Sequence, residues 1–143
     1  MPVQVKLEKT MTNDCSAVDL VKDFLAASMA PDPVLAATYM TKDVKITFTG
    51  RREMPDPQAI TAFNGARYKW VKKQLGQFDW MDRGDHVVVY ATGTLYGQWP
   101  DGREFAGNRY VDRYEVREGK ITHMDVLNDS AEWILTPEIG RTA

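Results

Sequence analysis

The stretch DRYEVREGKITHMDVLNDSAEWIL, residues 112–135, contains two alternating segments separated by the turn Glu118-Gly119. Successive side chains of a β-strand point to opposite faces of the sheet, so alternation of apolar and polar residues is typical of a strand with one buried face. We predict strands at residues 103–117 and 120–128 and, after Asn128-Asp129-Ser130, a short helix at residues 130–135. This part of the chain therefore predicts an antiparallel sheet.

The strand at residues 103–117 places one carboxylate on its apolar face. Tyr110, Asp112, Tyr114 and Val116 share that face, whereas four of the five residues from Arg109 to Arg117 on the other face are charged. Burial disfavours a charged carboxyl group unless a cation or hydrogen-bond donors compensate it. Two interpretations stay open: Asp112 is a functional group, or it satisfies buried amides or an arginine.

The last strand, residues 120–128, has two alternating sets of side chains, and we assign to the interior Thr122, Met124, Val126 and Asn128. The set assigned to the outer face is Ile121, His123, Asp125 and Leu127. A histidine and a carboxylate on one face are compatible with a catalytic dyad, but we favour the explanation that they lie on a solvated strand face. Asp129 fits an N-cap of the short final helix.

The rest of the chain places helices before most strands. Helical spacing predicts a helix at residues 16–29, a short second helix that stops near Thr41, and a third helix from about Ile60 to Gln74–Gly76. Strand patterns follow at residues 43–48, 78–81 and 86–99. This order predicts an α+β domain.

Two polar residues lie on or beside the apolar stripe of the predicted third helix, which contains Ile60, Phe63, Trp70 and Val71. They are Asn64 and Arg67. Arg67 either extends to solvent at the rim or pairs with Asp112 or an anionic ligand.

Composition excludes several classes of function. The formal net charge of -2 argues against nucleic-acid binding, and with one cysteine and two histidines there is no metal-ligand cluster and no internal disulfide. No apolar run predicts a membrane span or a signal peptide, so we expect a cytoplasmic protein. We expect residues 1–15 to be a flexible N-terminal segment, residues 16–135 a single domain, and residues 136–143 a C-terminal tail.

The order of elements, together with Tyr110-Val111-Asp112-Arg113-Tyr114 and Gly119-Lys120-Ile121, resembles the nuclear transport factor 2-like (NTF2-like) superfamily. Within it, the sequence is most similar to the SnoaL-like proteins of the polyketide cyclase and ketosteroid isomerase type. The resemblance implies a cone-shaped, curved antiparallel β-sheet wrapped around a long helix, with an N-terminal helical hairpin and an internal ligand cavity.

The catalytic positions of these relatives are only partly present. Ketosteroid isomerases have a protonated acid where Asp112 stands, but their base and tyrosine positions fall on Phe48 and Phe24. Limonene epoxide hydrolases carry an arginine and an aspartate on one strand, and these positions correspond to Ala91 and Gly93. The second acid of those hydrolases and the acid of the SnoaL-like cyclases both fall on Val126.

We therefore expect a small enzyme without a cofactor that acts on a hydrophobic, carbonyl-bearing metabolite by isomerisation, cyclisation or dehydration. The alternative is a non-catalytic module of the same fold that binds a small molecule or dimerises. We also expect a homodimer, with Tyr96 and Trp99 as contact residues. The expected catalytic residues are Asp112 and Asn128, and the expected substrate-binding residues are Phe24, Phe48, Phe63, Asn64, Arg67, Trp70, Tyr110, Met124 and Val126.

Overall fold

The computed structural model describes residues 2–135, with side chains from residue 16 onward. The predicted tail, residues 136–143, lies outside the described residues. In chain order the elements are α1 (Pro2–Met29), α2 (Pro33–Ala37), β1 (Met40–Phe48), β2 (Arg52–Met54), α3 (Pro57–Arg67), β3 (Trp70–Asp82), β4 (Val87–Gln98), β5 (Glu104–Arg117), β6 (Lys120–Asn128) and α4 (Ser130–Leu135).

The α+β class and the curved, unclosed sheet are confirmed. The sheet has six strands in the order β2-β1-β6-β5-β4-β3, and the strands from β3 to β6 pair with their neighbours in antiparallel fashion. One pair departs from the predicted antiparallel arrangement, because β1 lies parallel to β6. The sheet packs against α1, and α1 packs against α2 as the predicted helical hairpin.

The first helix begins at Pro2, before the predicted start at Ser16. No glycine or proline interrupts residues 3–29, and proline suits the first turn of a helix, so the N-cap types Asn13, Asp14 and Ser16 lie inside the helix. With 28 residues, α1 is the longest helix among the described residues, whereas we expected the third helix, which has 11 residues, to be the long one.

The third helix is shorter than predicted. It ends at Arg67, and Tyr68 already has extended backbone angles, φ -125 and ψ 152. From Trp70 the chain pairs with β4, with Trp70 opposite Gln98 and Leu75 opposite Gly93. Trp70 and Val71 continue the helical spacing of α3, whereas Val71 and Leu75 fit the alternation of a strand. Pairing with β4 decides in favour of the strand.

The buried face of β5 agrees with the prediction, since Tyr110, Asp112, Tyr114 and Val116 are all buried. On β6, Met124 and Val126 are also buried as predicted. Ile121 is fully buried, although we expected it on the outer face. The reason is a β-bulge: Glu115 pairs with His123 and Val116 with Ile121, which leaves Thr122 as one extra residue and reverses the faces before it.

Glycine at position 93 lets a tyrosine ring lie across β4. A Cβ atom on Gly93 would stand 2.3 Å from the Gln74 carbonyl oxygen and 2.8 Å from Cε2 of Tyr110. Gly65 in α3 is the opposite case, because a Cβ atom there meets nothing within 4 Å. Gly93 is therefore required by packing, whereas Gly65 is not.

We predict that Gly93→Ala lowers the free energy of unfolding by about 1–3 kcal/mol, as overpacking of a tight interior does. Gly65→Ala should raise it by about 0.5–1 kcal/mol, since alanine is the better helix former. Urea unfolding of both variants measures the two effects. An unchanged midpoint for Gly93→Ala would show that the strands can separate enough to admit the methyl group.

Candidate functional site

A small cavity lies inside the concave face of the sheet, between the end of α1, α3 and β3. Its volume is about 60 Å³, and we call it the inner chamber. Of the predicted site residues it is lined by Phe48, Asn64, Met124, Val126 and Asn128. The other lining residues are Leu25, Ser28, Met29, Ile60, Tyr68, Val71, Lys72, Lys73 and Leu95.

A second space adjoins the inner chamber on the side of α3, with a volume of about 210 Å³. We call it the vestibule. Trp70, Lys69 and Thr61 line it but not the inner chamber. The residues that line both spaces are Ser28, Met29, Ile60, Asn64, Tyr68, Val71 and Lys72.

The polar wall of the inner chamber is formed by an ion pair. The ammonium group of Lys73 on β3 contacts Oδ2 of Asp112 on β5, and it also lies 4.5 Å from the centre of the Tyr110 ring. Lys73 lines the chamber and its side chain is 17% exposed, whereas Asp112 is fully buried and is absent from the lining. Asp112 therefore lies behind Lys73 as seen from the chamber.

Two tyrosines complete the surroundings of the carboxylate. The Tyr114 hydroxyl donates to Oδ2 of Asp112 over 3.1 Å, and burial, reinforced by the Asp112 charge, raises the pKa of Tyr114 well above its ordinary value. Burial and the same charge raise the pKa of Tyr110 to about 12. Among the described residues, Oδ1 of Asp112 and the Tyr110 hydroxyl have no hydrogen-bond partner.

At the α4 end of the chamber, hydroxyl and amide groups bond to one another. Ser130 Oγ accepts from the Tyr68 hydroxyl over 2.7 Å and from Asn108 Nδ2 over 2.8 Å. The amide oxygen of Asn128 accepts from the Ser130 N–H over 3.1 Å, at the start of α4. Asn128 lines the chamber, but its oxygen is engaged in this local bond.

Some predicted site residues lie away from the inner chamber. Phe24 packs edge-on against Tyr114, with ring centres 6.0 Å apart, and Phe63 packs edge-on against Phe48 at 5.7 Å. Trp70 is 41% exposed and lines the vestibule. Tyr110 lies beneath Lys73 and does not line the chamber.

Of the alternatives for Arg67, pairing with Asp112 is wrong. The Arg67 guanidinium lies 4.9 Å from the centre of the Phe63 ring, at the last residue of α3, and Lys73 takes its place beside the carboxylate. We missed Lys73 because we assigned residues 70–74 to a helix. The alternation Val71, Lys73, Leu75 was the available signal, since it places a cation on the inner face of a strand.

The two residues expected to contact a second copy differ in their exposure. Trp99 is buried and stacks on Phe105 with ring centres 4.1 Å apart, so it offers no surface to a second copy. Tyr96 is 36% exposed and packs edge-on against Trp70. The homodimer itself stays a prediction.

The described part of the chain holds no group of three or more histidine, cysteine, aspartate or glutamate residues placed to bind a metal ion. No helix in that part combines the length and apolar character needed to cross a membrane.

Comparison with solved structures identifies the fold as NTF2-like. An NTF2-like protein from Burkholderia thailandensis E264 is 19% identical, with a TM-score of 0.67 over 84% of this chain and 95% of that chain. A candidate SnoaL-like polyketide cyclase from Jannaschia sp. CCS1 is 18% identical, with a TM-score of 0.66 over 90% of this chain and 95% of that chain.

TerC, a protein co-crystallised with polyporic acid, is 17% identical, with a TM-score of 0.66 over 84% of this chain and 96% of that chain. No protein-family model and no curated protein matches the sequence. Similarity at these identities establishes the fold and leaves the activity to be argued from the site.

Removing one member of the ion pair should destabilise the protein more than removing the other. We predict that Lys73→Met lowers the free energy of unfolding by about 3–5 kcal/mol, because it leaves a fully buried carboxylate without its cation. Asp112→Leu should cost less, since Lys73 is partly exposed. The double variant should lie within about 1 kcal/mol of wild type, as hydrophobic replacement of a buried pair often does. Chemical denaturation measures all three, and additive effects would show that the two groups do not interact.

The pKa of Tyr110 predicts a loss of stability in alkali. Its value in the folded protein is about 12, above the ordinary value of 10.0, so the unfolded chain gives up the proton first. The contribution of Tyr110 to the free energy of unfolding is therefore complete below about pH 10 and is lost as the pH rises towards 12. We expect the free energy of unfolding of Tyr110→Phe, measured with urea, to decline less steeply across this range than that of wild type. Parallel declines for the two proteins would contradict the assignment.

Proposed function

We propose that this protein is a small enzyme without a cofactor that acts on a hydrophobic, carbonyl-bearing metabolite by isomerisation, cyclisation or dehydration. The observation that carries the proposal is that Lys73 lines the inner chamber while its ammonium group contacts Asp112, which is fully buried behind it. A fixed cation in such a place stabilises negative charge that develops on a substrate oxygen.

The three reactions share one electronic requirement. Each passes through an enolate or a related species when a proton leaves the carbon beside a carbonyl group, and the charge collects on the carbonyl oxygen. Lys73 would donate a hydrogen bond to that oxygen. Interactions that are stronger in the transition state than in the ground state raise the rate, and an ammonium group facing a neutral carbonyl meets that condition.

Asp112 acts in this proposal as a positioning residue. Its carboxylate contacts the ammonium group and orients it. Tyr114 supports this arrangement, because its hydroxyl donates a hydrogen bond to the same carboxylate oxygen and holds it in position. This differs from the direct acid or base role that the sequence suggested for Asp112, since Lys73 stands between it and the chamber.

Among the described residues, the chamber wall supplies an electrophile and amide groups but no strong base. The polar residues in this part of the lining are Ser28, Asn64, Tyr68, Lys72, Lys73 and Asn128, without a carboxylate or an imidazole. Asn64 and Asn128 would orient the substrate. The proton removed from carbon would pass to water or to a basic group of the substrate itself.

Structural neighbours are compatible with small organic substrates. They include a candidate SnoaL-like polyketide cyclase, a candidate ketosteroid isomerase from Shewanella frigidimarina, and TerC co-crystallised with polyporic acid. These names support a carbonyl-bearing or acidic organic molecule as the ligand class of the fold and specify no substrate for this chain.

The second candidate is a non-catalytic module that binds the same kind of molecule. The lack of a carboxylate or imidazole among the lining residues of the inner chamber favours it. It would use Lys73 to recognise a carbonyl oxygen without turnover.

Exchange of carbon-bound protons distinguishes the two candidates. We expect the protein in D₂O to accelerate deuterium incorporation beside the carbonyl group of acetophenone or carvone, as followed by NMR. The double variant Lys73→Met with Asp112→Leu, which is expected to keep a stability close to that of wild type, should lower that rate by about 10²–10³-fold, the usual effect of removing one oxyanion donor.

Lys45→Met, at an exposed lysine of β1, is the matched control and should keep the wild-type rate. Binding of the ketones without exchange would reject the enzyme in favour of the binding module. Exchange that survives in the double variant would reject Lys73 as the electrophile.

A further inference from the structure

We propose that Met29 is the partition between the inner chamber and the vestibule, and that it sets the size of ligand that reaches Lys73. The ligand class that fits is a flat apolar ring system ending in a carbonyl group, with the rings in the vestibule and the carbonyl oxygen at Lys73. This proposal rests on the proposed function for the location of the ligand, and adds the residue that selects it.

The volumes of the inner chamber and the vestibule show why Met29 has to move before a ring can reach Lys73. The inner chamber has a volume of about 60 Å³, whereas an apolar cavity of about 150 Å³ is known to hold a benzene ring. A ring therefore does not fit in the chamber as it stands. The vestibule, at about 210 Å³, is large enough for one, and it shares a wall with the chamber.

Two residues of the shared wall are held in place. Tyr68 is buried and its hydroxyl is bonded to Ser130, and Ile60 is buried in the core. Met29 is half-buried at the last residue of α1, and among the half-buried residues of the wall it has the one long, uncharged side chain; the others are Ser28, Asn64, Val71 and Lys72. Methionine has an unbranched, flexible side chain that adapts to the space around it.

The contacts of Met29 fix its backbone and leave its side chain loosely held. Lys72 Nζ donates to the Met29 carbonyl oxygen over 2.7 Å, which anchors the end of α1 on β3. Among the described residues, the thioether sulfur accepts a hydrogen bond only from the Lys73 N–H, over 3.3 Å, and sulfur is a weak acceptor. Because β3 is an edge strand, water can replace the sulfur at this N–H when the side chain turns away.

The same displacement opens the route to the ammonium group. Met29 contacts the backbone of Lys73, whose side chain lines the chamber, so moving the thioether joins the vestibule to the polar wall. Trp70, 41% exposed in the vestibule, offers a flat aromatic surface to a ring that enters there.

Binding of a one-ring and a two-ring ketone tests the partition. The probes are acetophenone and 2-acetonaphthone, with dissociation constants measured by ligand-observed NMR. We expect Met29→Ala to strengthen binding of 2-acetonaphthone relative to acetophenone by at least about tenfold, a change worth about 1.4 kcal/mol. Met29→Phe, which keeps the site filled with a stiffer side chain, should weaken binding of both ketones.

Met54→Ala is the matched control, because Met54 is a buried methionine of β2 outside both spaces. It should leave the ratio of the two affinities unchanged. The proposal is overturned if Met29→Ala also leaves the ratio unchanged, if Met29→Phe binds both ketones as wild type does, or if neither wild type nor Met29→Ala binds either ketone.

Benzyl alcohol and 2-naphthalenemethanol, which have no enolisable carbonyl group, separate this proposal from the proposed function. A size effect of Met29→Ala with these alcohols, without proton exchange of the ketones, would support the partition and reject the enzyme. Proton exchange that depends on Lys73, without any size effect, would reject the partition and leave the enzyme standing.

Discussion

The ion pair between Lys73 and Asp112 is the constraint on which the concave face of the sheet depends. A fully buried carboxylate is costly unless a cation meets it, and here the cation comes from β3, which is not a neighbour of β5. The two side chains have to pass over β4. They can do so because β4 presents Ala91 and Gly93 there: Ala91 pairs with Asp112 in register, and Gly93 leaves room for the Tyr110 ring. Small residues at these positions are thus a requirement of the ion pair.

The pair also divides the inner chamber into unlike walls. The β3 side carries the ammonium group, with Asp112 and Tyr110 beneath it, whereas the β1 and β6 side consists of Phe48, Met124 and Val126. In the proposed function these walls would orient a ligand with one polar atom, with its oxygen towards Lys73 and its apolar body towards the other side. Asn128 stands at the junction, and its oxygen is bonded to the start of α4.

Sequence patterns predicted the elements correctly where the apolar residues fitted either a helical or a strand period, and failed where they fitted both. The ends of β6 and α4 and the burial of Asp112 followed from alternation and turn residues, because charged residues marked the outer face of β5. Residues 70–75 fitted a helix through Trp70 and Val71 and a strand through Val71 and Leu75, and only the pairing with β4 decides between them. That ambiguity hid Lys73 and left Arg67, for which we also considered a position at the solvent-exposed rim, as one possible partner of Asp112. The bulge at Thr122 leaves no local signature, so the burial of Ile121 could not be predicted.

Under the proposed function, the charges at the site suit a neutral ligand that becomes charged during reaction. Lys73 and Asp112 neutralise each other, and the ammonium group of Lys72, which also lines the chamber, is bonded to the neutral Met29 carbonyl oxygen. A neutral carbonyl group brings no charge on entry that has to be compensated. If negative charge grew on its oxygen, the Lys73 ammonium group would already be oriented by Asp112, with Tyr114 bonded to the carboxylate behind it. The arrangement would then interact more strongly with the charged intermediate than with the entering molecule, which is the physical requirement for catalysis.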